Sequence, residues 1–233
     1  MNGKEMVSVY YDIDGERYPR VTAVCAIVAN MGLAYWRGRV GNTEADRVSR
    51  EATNLGTRAH GAIEQFIKRQ TERCDCGKSP CSAWWESLND DIIPLVRAYI
   101  EWHDEHVRAV VACEKLSVSR VHRFAGTVDL VAVLDDDTSP SVIDLKTSNS
   151  VSETWGLQLG AYQIALDEEG VECRRRLIVQ IPSREPGVLH LHELTNHDQD
   201  QRAFINALKL YRWKESQKPP ETKGPRIRFG RKS

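Results

Sequence analysis

The chain has 233 residues, with 32 Lys and Arg against 33 Asp and Glu for a formal net charge of -1, and 41% of its residues are hydrophobic. That apolar share is too high for a disordered chain, and the length suits one medium domain that buries most of the surface of its unfolded chain. The charge balance excludes a protein that coats nucleic acid by bulk positive charge, so any contact with DNA or RNA needs a local concentration of Lys and Arg.

The first twenty residues are charged and contain no apolar signal core, and six Cys are too few for a disulfide framework, which points to the cytoplasm. Residues 7–12 (VSVYYD) and the turn at Gly15-Glu16 suggest a hairpin. The uncharged stretch from Val21 to Trp36 is shorter than the ~20 apolar residues that span a bilayer and is flanked by Arg20 and Arg37, so no membrane role is expected. A buried helix started by Thr22 is the better reading. Ala45 to Gln70 is helical, with Val48, Ala52, Leu55, Ala59, Ile63 and Phe66 recurring every three or four positions and Gly56 as a potential interruption. Residues 71–83 read as a loop holding Cys74, Cys76 and Cys81, and a second long helix runs from about Ile92 to Arg108.

From Val110 the period changes to two and β-branched residues dominate. VVACEKLSVS, RFAGTVDLVAVL and SVIDLKTS are strand candidates, with the turn-rich Asp135–Pro140 closing a hairpin between the last two. Glu153 to Leu166 is helical, with Trp155, Leu159, Tyr162 and Leu166 on one broad face. LIVQIP and VLHLHEL are further strands, and Asn196 caps a helix reaching about Trp213. The pattern predicts an α/β domain over residues 1–213, with a helical part at about 20–108, a strand core at about 110–195 and a last helix at about 196–213. Residues 214–233 read as a flexible basic tail.

Asp144 and Lys146 are two apart on one strand and leave the same face. If the hairpin closes symmetrically, Leu134 faces Ser141 and Asp129 faces Lys146, which brings two carboxylates and an ammonium together. Gly126, just upstream, leaves room for another group. A solvated rim salt bridge is the bland reading. Against it, Val142, Ile143 and Leu145 place this strand in the sheet centre, where charge is costly unless paired or coordinating a cation. Two carboxylates and a carbonyl suit Mg²⁺ or Mn²⁺. Thr147 and Ser148, directly after Lys146, are candidate phosphate contacts or turn formers.

Gly56-Thr57-Arg58-Ala59-His60, Glu114, Gly126-Thr127-Val128-Asp129, Asp144-Leu145-Lys146 and Gln158-Leu159-Gly160-Ala161-Tyr162 stand in an order that resembles the motifs of PD-(D/E)XK nucleases, nearest the RecB-like and Cas4-like exonucleases, many of them phage-encoded. The resemblance covers roughly residues 18–182. It implies a restriction-endonuclease-like core, a central mixed β-sheet flanked by helices with an N-terminal helical region. It makes Asp129 and Asp144 metal-binding carboxylates, with the Leu145 carbonyl as a further ligand and one or two Mg²⁺ or Mn²⁺ ions as cofactor. Lys146 would position or deprotonate water, His60 would add a ligand, and Glu114 would be an accessory ligand or a carboxylate behind the ligands, a strand-edge acid being the bland alternative. Gln158 and Tyr162, on one helix face, would contact DNA or support the site. The activity implied is a metal-dependent DNA exonuclease in recombination, repair or phage DNA metabolism, inside a bacterial host if phage-encoded. A recombinase or single-strand-binding protein is a candidate partner. A structure-selective endonuclease and a catalytically silent DNA-end or partner-binding module are the rival readings.

Cas4-like members commonly hold an iron–sulfur cluster, but the late region here offers only Cys173, so none is expected. Cys74, Cys76 and Cys81 are read as loop thiols or as a Zn²⁺ site whose fourth ligand would come from His103, His106 or Cys113. Trp84 and Trp85 are read as packing residues, with base stacking as the alternative. Residues 214–233 carry seven basic and two acidic side chains, which leaves about -6 on the body; a DNA-binding arm and a solubilising end are both open.

Overall fold

The computed structural model of the chain describes residues 8–28, 31–71 and 82–218. The segments rich in β-branched residues form a mixed sheet of β3 (Val107–Ser119), β4 (Phe124–Leu134), β5 (Ser141–Lys146), β6 (Arg175–Gln180) and β7 (His190–Glu193), in that spatial order. It is preceded by the hairpin β1 (Tyr10–Ile13) and β2 (Glu16–Pro19), whose turn residues Asp14 and Gly15 both have positive φ, as a two-residue hairpin requires. β5 and β6 are parallel and the other neighbours in the large sheet antiparallel. A parallel pair needs a crossover, and α6 (Thr154–Glu168) provides it.

Helices cover both faces. α3 (Asn42–Thr71), the short α4 (Ser82–Glu86) and α5 (Ile93–His106) pack on one; α1 (Val21–Cys25), α6 and α7 (His197–Ser216) pack on the other. β5 divides residue by residue. Ile143 and Leu145 join the core under α3 and α5, whereas Val142 joins the core under α6, so Asp144 and Lys146 stand on the α6 side.

The uncharged stretch after Arg20 is not one buried helix. α1 ends at Cys25, its N-cap is Arg20 rather than Thr22, and a separate α2 (Met31–Val40) follows. Val21, Val24 and Cys25 are buried, but Leu33 and Tyr35 are exposed, because α2 presents no continuous apolar stripe to the sheet. α3 runs unbroken through Gly56, where a Cβ would lie 2.9 Å from Thr147 Oγ1. The glycine thus serves close approach rather than interruption. Trp84 is buried against Phe66 and donates Nε1–H to Gln65 Oε1 at 3.2 Å, which excludes base stacking for it. α7 continues to Ser216, so Lys214 is helical rather than part of a tail. Cys74, Cys76 and Cys81, and the chain from Pro219 onward, lie outside the described residues.

Candidate active site

β4 and β5 share only the rungs Leu130↔Ile143, Val131↔Val142 and Ala132↔Ser141. Val133 and Leu134 pair with β3 alone, so the connection is longer than the turn read from sequence, and the register moves by two. Asp129 therefore comes level with Asp144 rather than with Lys146. The shift is even, so the face is kept. Past the last rung the ladder stops, and the Asp129 carboxylate takes over as acceptor: the Leu145 N–H donates to Asp129 Oδ2 at 2.8 Å.

Asp144 is 1% exposed. Its Oδ1 accepts from Gln158 Nε2 at 2.7 Å. Its Oδ2 is ion-paired with Lys146 Nζ at 2.5 Å and has no other partner. Lys146 Nζ donates to Gln158 Oε1 at 3.1 Å, and Gln158 Nε2 also donates to the Tyr162 hydroxyl at 3.0 Å. Gln158 and Tyr162, one turn apart on α6, thus hold both charged groups of β5. Gly126 is what admits the Tyr162 ring, since a Cβ there would lie 2.6 Å from Tyr162 Cε1.

α3 brings His60 to the same place, with Nδ1 3.7 Å from Asp129 Oδ2 and the ring meeting the backbone of Leu145. β3 brings Glu114, which lies inside the strand with φ 49°, a left-handed conformation that costs a non-glycine residue about 1–3 kcal/mol. One ligand atom from each of His60, Glu114 and Asp129 lies within 4.8 Å of the others.

These groups are electrostatically strained. Burial, with Asp144 beside it, pushes the Asp129 carboxyl well above the usual carboxylate range. Burial and Glu64 raise Glu114, and burial lowers His60. Burial would lower the Lys146 ammonium too, but the Asp144 and Asp129 charges outweigh it and hold it above its ordinary value. Acids crowded in low dielectric form a set of hard oxygens that, with one imidazole, could hold a divalent metal ion.

His60, Asp129, Asp144, Lys146, Gln158 and Tyr162 line one cavity of about 290 Å³. A second, of about 490 Å³, opens on the other side of His60 and Asp129 and is lined by Thr57, Glu64 and Glu114. The structure thus gathers most of the residues singled out in the sequence. Leu145 contributes backbone only, its side chain being buried in the core. Thr147 and Ser148 line neither cavity: Thr147 faces Gly56, and the Ser148 hydroxyl donates to the Ser150 carbonyl at 3.1 Å.

Sequence reading gave no site role to Tyr11 or Arg20, which also line the smaller cavity, nor to Thr127, quoted only within the Gly126–Asp129 motif. No short-range signal docks the β1–β2 hairpin on β4, which it meets through the bridge Arg20↔Ala125 and the Tyr11–Thr127 hydroxyl contact.

The family model of the PD-(D/E)XK nuclease superfamily matches residues 32–219. The chain belongs to this superfamily. The five-stranded mixed sheet between helices is its restriction-endonuclease-like core, here with an N-terminal helical region. PD-(D/E)XK nucleases generally use divalent metals, and a nuclease of this superfamily acts on DNA. Among solved structures, a candidate exonuclease from Eubacterium rectale is similar, at 10% identity and a TM-score of 0.41. The similarity covers 70% of this chain, which spans 65% of that one. Among curated proteins none matches the sequence.

Proposed function

We propose that this PD-(D/E)XK nuclease is a metal-dependent DNA exonuclease of the RecB-like and Cas4-like kind. The observation that carries the reading is the pair of carboxylates, buried Asp144 and Asp129, that share one cavity with Lys146, whose ammonium is paired with Asp144. Two carboxylates beside one ammonium leave a negative charge that a divalent cation would offset.

In this reading Asp129, Asp144 and the Leu145 carbonyl hold Mg²⁺ or Mn²⁺, and His60 with Glu114 extends the ligand set toward the larger cavity. When bound, the ion polarises the scissile phosphate and lowers the pKa of water. Lys146 orients the attacking water and offsets charge that develops on the phosphorus oxygens. Gln158 fixes the Lys146 ammonium by accepting from it and the Asp144 carboxylate by donating to it, and Tyr162 fixes Gln158. A silent binding module is disfavoured, because carboxylates facing phosphates repel DNA unless a cation intervenes. Work on DNA ends in recombination, repair or phage DNA metabolism follows from the motif resemblance, as does partnership with a recombinase or single-strand-binding protein.

The test is digestion of end-labelled linear DNA beside covalently closed circles, in single- and double-stranded form with Mg²⁺ or Mn²⁺. Linear molecules are expected to shorten from an end while circles persist. Cutting of closed circles would replace the exonuclease with an endonuclease.

A further inference from the structure

We infer that Arg20, held in place by Tyr11 and Thr127, is a phosphate clamp that pairs with a backbone phosphate of the DNA strand entering the smaller cavity. The inference rests on the nuclease reading above and adds to it the residue that grips the anion.

Arg20 joins β2 to α1, and its bridge to Ala125 sets its backbone beside the Gly126–Asp129 segment. The guanidinium lies 4.0 Å over the Tyr11 ring, and Nη1 donates to the Tyr11 hydroxyl at 3.1 Å. That hydroxyl is 3.0 Å from Thr127 Oγ1, two residues before Asp129. The head group is thus fixed by neutral partners. Among the described residues no carboxylate pairs with it, and its Nε is buried without any partner. Arg176 shows the contrast, since that fully buried guanidinium is paired with Asp200 at 2.8 Å.

An arginine cannot shed its proton to relieve such a position, and its planar fork of donors matches the oxygens of a phosphate. Of the two cations lining the cavity, Lys146 is engaged by Asp144 and Gln158, whereas Arg20 is engaged by no acid. The cavity, about 290 Å³, is lined by Asp129 and Asp144 as well as by Arg20. A phosphate between them meets the clamp on one side and the metal-ligand set on the other. Its source is either an internal phosphodiester or a terminal phosphate, which present the same non-bridging oxygens.

The experiment is equilibrium binding of a fluorescent single-stranded oligonucleotide across a salt series. Ca²⁺ replaces Mg²⁺, and the oligonucleotide is checked for integrity afterwards. Arg20→Gln is expected to weaken binding about tenfold, the effect of losing charge-assisted hydrogen bonds. It is also expected to lower the slope of log affinity against log salt by about 0.7, the share of one phosphate contact on a single strand. A residue that only anchors the hairpin would leave that slope unchanged. Loss confined to oligonucleotides with a terminal phosphate assigns the clamp to the strand end; equal loss without one assigns it to an internal phosphodiester. Unchanged affinity and slope in Arg20→Gln, beside a wild type that binds, overturns the clamp and leaves the nuclease reading standing. A wild type that binds no DNA overturns both. Where Arg20→Gln does not fold, Arg20→Lys carries the test: a several-fold loss of affinity supports the fork, and wild-type affinity overturns it.

Discussion

At position 144 a strand whose neighbouring residues Val142, Ile143 and Leu145 are apolar buries a carboxylate, and position 129 sets a second one level with it. Two like charges at low dielectric destabilise the fold, and the Lys146 ammonium, paired with Asp144, offsets only one of them. Asp129→Asn is therefore expected to raise the melting temperature in EDTA and to abolish cleavage. Mn²⁺ should raise the melting temperature of the wild type and leave that variant nearly unmoved, because only a ligand-competent native state gains from binding. Equal Mn²⁺ shifts in both proteins would remove Asp129 from the ligand set. A second test at this scale concerns His103, away from the site. Its ring is buried against Phe66 and Tyr99 with neither nitrogen hydrogen-bonded. Burial, outweighing Asp104 at 3.5 Å, keeps its pKa below the ordinary value of 6.5. The folded state thus binds fewer protons than the unfolded one, so stability is full above about pH 6.5 and is lost as pH falls below it. His103→Phe should flatten that loss, read as melting temperature between about pH 7 and 5.5. Asp144, Lys146 and their shared face were legible because a period of two leaves no choice of face. The partner of Asp129 was not, since a polar run such as Asp135–Pro140 marks a turn without saying where pairing resumes.

α6 links the site to the rest of the fold. It presents Gln158 and Tyr162 to β5, and its other side closes on α7 through glycines: a Cβ at Gly156 would lie 2.8 Å from the Asp200 carboxylate, and one at Gly160 would lie 3.1 Å from the Gln201 backbone nitrogen. Between the helices, Arg176 of β6 is fully buried, paired with Asp200 at 2.8 Å and donating to the Leu194 carbonyl at 3.1 Å. Removing one partner of such a pair strands the other's charge. Asp200→Ala is expected to cost about 3–5 kcal/mol in urea unfolding and to lower activity with it, because α6 loses its seat. A loss below about 1 kcal/mol would mean that the pair behaves like a surface salt bridge. The amphipathic spacing of α3 and the alternation of β3 to β5 made those elements legible in the sequence. α1 and α2 were misread as one buried helix because a lack of charge does not show whether a face has anything to pack against. The approach of the β1–β2 hairpin, with Tyr11 and Arg20, depends on tertiary contact that no local pattern encodes.

Over the whole molecule, near-neutrality conceals a division: residues 1–213 carry about -6 and residues 214–233 about +5. Part of the acidic excess is the clustered Asp129, Asp144, Glu114 and Glu64, which line the two cavities that meet at His60 and Asp129. The balance that excludes a coating protein is therefore compatible with a nuclease whose acidic cavity receives DNA together with divalent ions. Among the described residues no helix is long and apolar enough to cross a membrane. The central claim is that Asp129, Asp144 and Lys146 form a metal-dependent phosphodiesterase centre. Its most direct test is the rate at which end-labelled linear DNA is degraded by the wild type and Asp144→Ala, in Mg²⁺, in Mn²⁺ and in EDTA. The account predicts degradation by the wild type with either metal, none in EDTA, and a loss of at least about a hundredfold in Asp144→Ala. Degradation by Asp144→Ala at the wild-type rate, or by the wild type in EDTA, would contradict it.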